Sequence, residues 1–115
     1  MTAVSRRGFM NWKRVREVSD NYIKMLKTKG TSATQVVNLS GGNQQKVAIA
    51  KWLHAGCNLL IFDEPTRGID VAAKAEIHQL IRNFAAQEGK AAIVISSEVN
   101  ELVSVSDRII VMSKG

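Results

Sequence analysis

Two short stretches hold the residues best suited to chemistry. The first, NLSGGNQQK at residues 38–46, puts two glycines behind a serine and ahead of a run of side-chain amides. Gly41 and Gly42 leave the first amides of a following helix uncovered, so its positive end can receive an anion, and Ser40 adds a hydroxyl donor. Phosphate is the natural candidate, although a plain Ser-Gly-Gly helix start with no ligand reads the same way. The second stretch, NLLIFDEP at residues 58–65, is apolar until it ends in Asp63, Glu64 and Pro65. In open α/β sheets ligands bind outside the carboxyl ends of strands, and a carboxylate there can hold the Mg²⁺ of a nucleotide through its water shell. Asp63 fits that role. Glu64 could polarise a water that attacks a γ-phosphate, the positioning task of phosphoryl transfer. Paired acids at a strand end also serve simply to cap a turn.

The elements that must position these residues follow from periodicity. Residues 11–29 place Trp12, Val15, Val18, Tyr22, Ile23, Met25 and Leu26 at mostly three- and four-residue spacing, which predicts an amphipathic helix ended by Gly30. A polar connector, 31–35, leads to the Ser40 motif, and residues 43–53 read as a second helix capped by Ser40. The run at 58–65 predicts a strand buried in a parallel sheet. Asp70 can cap a helix from 71 to about 87 with an apolar face of Ile77, Leu80, Ile81 and Phe84. Residues 91–96 predict a second buried strand, 98–105 a short helix and 107–112 a third strand. Strands alternating with helices indicate an α/β fold with right-handed crossovers.

Composition narrows the setting. At 115 residues the chain allows one domain at most. The net charge of +6 is concentrated: residues 1–30 carry eight Lys or Arg against Glu17 and Asp20, and the rest balances. A basic segment suits nucleic acid or anionic lipid, but a helix with a solvated basic face looks the same. The single Cys57 makes no internal disulfide and reads as a small core residue of a protein in a reducing compartment. No apolar run reaches the roughly 18–20 residues that span a bilayer, so a membrane role goes through a partner. His54 and His78 lack clustered acid or cysteine neighbours and read as structural or solvent-facing, and Trp12 and Trp52 read as core. Arg67 either fixes the turn after the acids or faces a partner. The NLS at Asn38 matches a glycosylation acceptor by chance.

Order and spacing join the motifs. LSGGNQQ opens a helix, a strand ending in DEPTRGID follows, and one helix later a strand runs into SSE. This resembles the second half of an ABC-type ATPase domain, with residues 39–45 matching the signature, 60–64 the Walker B strand and 68–70 the D-loop. Asn43 where most such proteins have glutamine, the QQK that follows, and PTRGID resemble the ATP-binding subunits of bacterial sugar importers of the ribose, galactose and xylose type. Within those tandem subunits the chain is most similar to the second nucleotide-binding half.

The resemblance implies a partial P-loop NTPase fold: a helical remnant and connector at 1–36, then the carboxyl-terminal part of the ATPase core at 37–115. It implies ATP and Mg²⁺ as ligands. Ser40, Gly41, Gly42, Asn43 and Gln44 would cover the γ-phosphate of ATP held by a facing domain, and Asp70 would touch that opposite site. Asp63 would hold Mg²⁺ through water, and Glu64 would serve the ATP of its own domain. The switch position, histidine in most active relatives, is Ser97 here, which cannot carry an imidazole's charge. The local site is therefore expected to hydrolyse poorly and mainly to complete the other.

A P-loop, G-x-x-x-x-G-K-[ST], is missing: the only Gly-Lys pair, Gly89-Lys90, is followed by Ala91 and has Phe84 where the first glycine belongs. The chain therefore reads as a carboxyl-terminal piece of a longer ATPase, inactive alone. Expected partners are the facing ATPase domain, transmembrane permease subunits and, indirectly, a periplasmic sugar-binding protein, with the chain peripheral on the cytoplasmic side of the inner membrane. Two other readings are a soluble ABC ATPase acting on nucleic acid or ribosomes, which is less favoured, and a truncated interaction module.

Overall fold

A helix needs something to stop it, and the first helix here stops earlier than its sequence suggests. In the computed structural model, which describes residues 4–6 and 9–114, α1 spans Trp12–Met25. It starts on Asn11, whose Oδ1 accepts the Arg14 N–H at 3.1 Å. It ends because Lys27 takes a left-handed φ of 49°. The Lys27 N–H then donates to the Lys24 carbonyl and the Thr28 N–H to the Ile23 carbonyl. That pair of bonds is a Schellman closure, which normally uses glycine. The stop expected at Gly30 is thus made by Lys27.

The chain divides into two compact units, Met1–Cys57 and Asn58–Gly115. The first holds a short antiparallel pair, β1 (Ser5–Arg6) and β2 (Phe9–Met10), then α1, a 3-10 turn at Val36–Asn38 and α2 (Gly41–Ala55). Gly56, at φ 75°, closes α2. Tyr22 meets His54 edge-on with ring centroids 5.8 Å apart. Between the helices and the connector lies a cavity of about 350 Å³ whose walls include Val15, Val18, Tyr22, Leu39, Val47 and Ala50. The two tryptophans expected in the core are exposed, Trp12 at 68% and Trp52 at 53%. No residue of α1 is buried, and Trp52 lies beside the buried stripe of α2, Gly42, Lys46 and Ile49. The unit boundary at 57/58 follows packing, whereas the division at 36/37 follows the motifs.

The second unit is a β-α-β-α run: β3 (Leu59–Asp63), α3 (Val71–Ala85), β4 (Ala91–Ile95) and α4 (Val99–Val105). The strands pair in parallel with Leu59 opposite Ala91 and Asp63 opposite Ile95. Helix α3 packs on β4 and α4. Leu60, Phe62, Ile77, Ile81 and Phe84 are the buried core, each worth about 1.5–3 kcal/mol of burial. Leu80, counted on that face, is only half-buried.

Three expectations are corrected here. The strands are not buried on both faces: exposure alternates along β3, leaving Ile61 63% exposed while Leu60 and Phe62 are covered. Successive side chains point to opposite faces, and helices cover only one of them. No strand forms at 107–112, and Ile110, Val111 and Met112 are exposed. A strand exists only by pairing, and β3 and β4 form a two-stranded sheet among the described residues. Cys57 is half-buried rather than a core residue.

Candidate functional site

In the first unit the candidate residues gather at the start of α2. Ser40 occupies the N-cap position with extended backbone, φ −61° and ψ 156°, yet its side chain makes no capping bond to the helix. Its hydroxyl instead accepts from the Asn43 side-chain amide at 2.8 Å. The Asn43 Oδ1 in turn accepts the Lys29 N–H at 3.1 Å, so this residue clasps the serine to the connector. Gln44 turns back as well, donating from Nε2 to the Leu39 carbonyl at 2.9 Å. The first intrahelical bond runs from the Gln44 N–H to the Ser40 carbonyl. The amides of Gly41, Gly42 and Asn43 precede it, at the positive end of the helix dipole. Gly41 is exposed and Gly42 buried.

In the second unit the parallel register delivers two chain segments to one edge. Asp63 closes β3 and is exposed; no hydrogen bond of its carboxylate is described. Glu64 follows at a left-handed φ of 45° that non-glycine residues seldom adopt, a conformation costing about 1–3 kcal/mol. Two bonds hold it there. Its N–H donates to the Ile95 carbonyl at 2.9 Å, and its Oε1 accepts the Ser97 N–H at 2.9 Å. Sequence reasoning paired Glu64 and Ser97 only through resemblance; the structure brings them into direct contact. Asp70 stands apart, at the start of α3, where Oδ1 accepts the Ala73 N–H at 2.9 Å. The Ser40 cluster and the strand-end cluster lie in different units.

Behind the strand ends lies a polar network that sequence reasoning missed. Glu101 of α4 is 3% exposed. Its Oε1 accepts from Thr66 Oγ1 at 2.5 Å and lies 2.9 Å from His78 Nε2, and its Oε2 accepts from Ser96 Oγ at 2.5 Å. Burial pushes this carboxyl up, but the hydrogen bonds from Ser96, Thr66 and His78, with the attraction of His78, outweigh it and hold the group below its ordinary range. The Ser104 hydroxyl donates to the Glu101 carbonyl at 2.7 Å and meets His78 Nδ1 at 3.3 Å. The signal in the sequence was a glutamate between Val99 and Leu102 in a short apolar helix. Nearer the surface, Glu98 pairs with Lys74 at 2.7 Å, and that bond raises the lysine's pKa.

No group of three or more His, Cys, Asp or Glu among the described residues could encage a metal. Asp63 nevertheless suits Mg²⁺, which keeps several waters and takes one or two carboxylates together with phosphate oxygens.

A relative in Rhizobium meliloti (strain 1021), whose name describes a ribose/galactose/methyl galactoside import ATP-binding protein, is 52% identical over 114 residues, 98% of this chain and 23% of its own. The ribose import ATP-binding protein RbsA of Clostridium tetani (strain Massachusetts / E88) is 56% identical over 97 residues, 84% of this chain and 19% of its own. The chain thus spans about a fifth of the length of the curated relatives it matches. Among solved structures, the dimeric form of a bacterial ABC transporter cassette aligns with TM-score 0.71 and 28% identity, over 87% of this chain and 44% of that one. The ABC transporter family profile matches residues 3–67, more than half of the sequence, and the chain belongs to that family.

Proposed function

We propose that this chain is part of the ATP-hydrolysing subunit of a carbohydrate importer, and that its α2 helix start grips the γ-phosphate of ATP presented by a facing domain. The observation that carries the reading is the unspent start of α2: a serine at the N-cap whose side chain does not cap, followed by two glycines. Anions bind at such a terminus because amides and dipole point the same way. Ser40 would donate its hydroxyl, and Gly41 and Gly42 their amides. Asn43 and Gln44 hold the turn, through bonds to Ser40 and to the Leu39 carbonyl.

On the other unit, Asp63 would hold Mg²⁺ through water and Glu64 would orient the attacking water for ATP bound to its own domain. Mg²⁺, when present, neutralises charge on the transferring phosphoryl group. The Ser97 N–H fixes one oxygen of the Glu64 carboxylate. Ser97 supplies an amide and a hydroxyl but no titrating ring, so this half chiefly completes the opposite site. Asp70 would reach that opposite site. The names of the relatives support sugar as cargo, and a dimeric neighbour captured with ADP and Pi supports a nucleotide shared between cassettes. Permease subunits, an indirect periplasmic sugar-binding protein and a peripheral position on the cytoplasmic membrane face complete the proposal. No helix among the described residues is long and apolar enough to cross a membrane.

The test is a pair of substitutions in the complete ATPase subunit. Gly42→Asp places a carboxylate where the phosphate would sit and abolishes ATP turnover. Ser97→Ala keeps most of the turnover. Equal losses from the two changes would refute the asymmetry, and full activity in Gly42→Asp would refute the grip.

A further inference from the structure

We propose that Glu101 is a positioning residue, a buried staple that fixes the loop carrying Glu64 to the loop carrying Ser97. A carboxylate 3% exposed is costly unless its oxygens are satisfied, and an apolar side chain would hold α4 against the core without that cost. The arms of this carboxylate reach beyond its own helix. One oxygen takes the hydroxyl of Thr66, two residues beyond Glu64, and also faces His78 of α3. The other takes the hydroxyl of Ser96, the residue before Ser97. The Ser96 oxygen then accepts the Glu98 N–H at 3.0 Å, which turns the chain into α4.

The same two loops meet again in front of the staple, through Glu64 N–H to the Ile95 carbonyl and Ser97 N–H to the Glu64 carboxylate. Glu64 sits in a left-handed conformation that persists only when its surroundings over-determine it. Glu101 supplies the rear half of that constraint. Thr66, buried at 2% exposure, gives its hydroxyl no other described partner. The role serves the reaction proposed above and rests on that reading for its purpose, but not for its geometry.

Amide hydrogen exchange on the full chain tests it. Glu101→Gln keeps the shape and one acceptor but loses the charge and one acceptor arm. The expected result is exchange at the Glu64 and Ser97 amides faster by at least about tenfold, with the α3 amides of Ile77 and Ile81 little changed. Unchanged exchange at Ser97 overturns the proposal. So does an equal rise throughout α3 and β4, because Glu101 would then only hold the fold. Should Glu101→Gln fail to fold, Ser96→Ala removes a single arm and is read by the same criteria, and Ser96→Thr, which keeps the hydroxyl, should restore slow exchange. Failure of that rescue also overturns the idea. The measurement needs no nucleotide, so a positive result beside a complete ATPase subunit whose turnover survives Gly42→Asp would sink the proposed grip and leave the staple standing.

Discussion

Asp70 has one oxygen committed, since Oδ1 caps α3 through the Ala73 N–H. Any contact it makes across a dimer must use the other. The two roles come apart by substitution. Asp70→Ala removes the cap and should cost about 1 kcal/mol of stability, read as a shift in urea midpoint. Asp70→Asn keeps a capping oxygen but loses the charge, so it should leave the midpoint nearly unchanged while lowering turnover in the complete ATPase if the second role exists. Glu101 makes a different prediction. Its carboxyl is held below the ordinary 4.5 in the folded chain, so it contributes stability in full above that pH, and the contribution is lost as pH falls through 4.5 and the lower folded value. Protonation would strip its acceptor capacity toward Thr66 and Ser96 and its attraction to His78. Thermal melts between pH 7 and 3 should show a steeper acid loss in the parent than in Glu101→Gln.

At the scale of elements, stability should follow the covered face of the second unit. Ile77 is fully buried on α3, and Ile77→Ala should cost about 2–5 kcal/mol through lost transfer energy and a cavity. Trp52, half exposed on α2, has the Lys51 ammonium 5.4 Å from its ring centroid, and Trp52→Ala should cost about 1 kcal/mol in the same urea titration. The sequence made the first legible and misled about the second. Helical spacing found the stripe of Ile77, Ile81 and Phe84, and Asp70 marked where α3 begins, because periodicity and capping are local. What a tryptophan at the margin of a stripe packs against is not local. The same limit explains β3, where continuous apolar residues announce a strand but not whether one face or two will be covered. Residues 107–112 have strand chemistry without a partner ladder, and no composition encodes the partner. Glu101 escaped notice because its worth lies in Thr66, 35 positions earlier, and in His78, 23 positions earlier.

For the whole molecule, the distribution of parts decides what the chain can do unaided. In the proposed reading a helix start grips phosphate and strand-end acids serve Mg²⁺ and water, each within its own unit, and these 115 residues hold no G-x-x-x-x-G-K-[ST] sequence. The nucleotide that meets the α2 start is, in that reading, held by a facing domain, so association becomes the measurable event. By linkage, a ligand that contacts both partners strengthens their complex by the free energy of the new contacts. The purified chain should show no Mg²⁺-dependent ATP hydrolysis above buffer. Its affinity for a complete facing cassette should rise by about tenfold or more with ATP, a gain of about 1.4 kcal/mol that a few amide-phosphate bonds can supply. Gly42→Asp should erase that gain, because the added carboxylate repels phosphate. Calorimetric titrations with and without ATP separate the two contributions. An affinity that ignores ATP would mean that the helix start meets no phosphate, and the glycines at residues 41 and 42 would then be only the beginning of a helix.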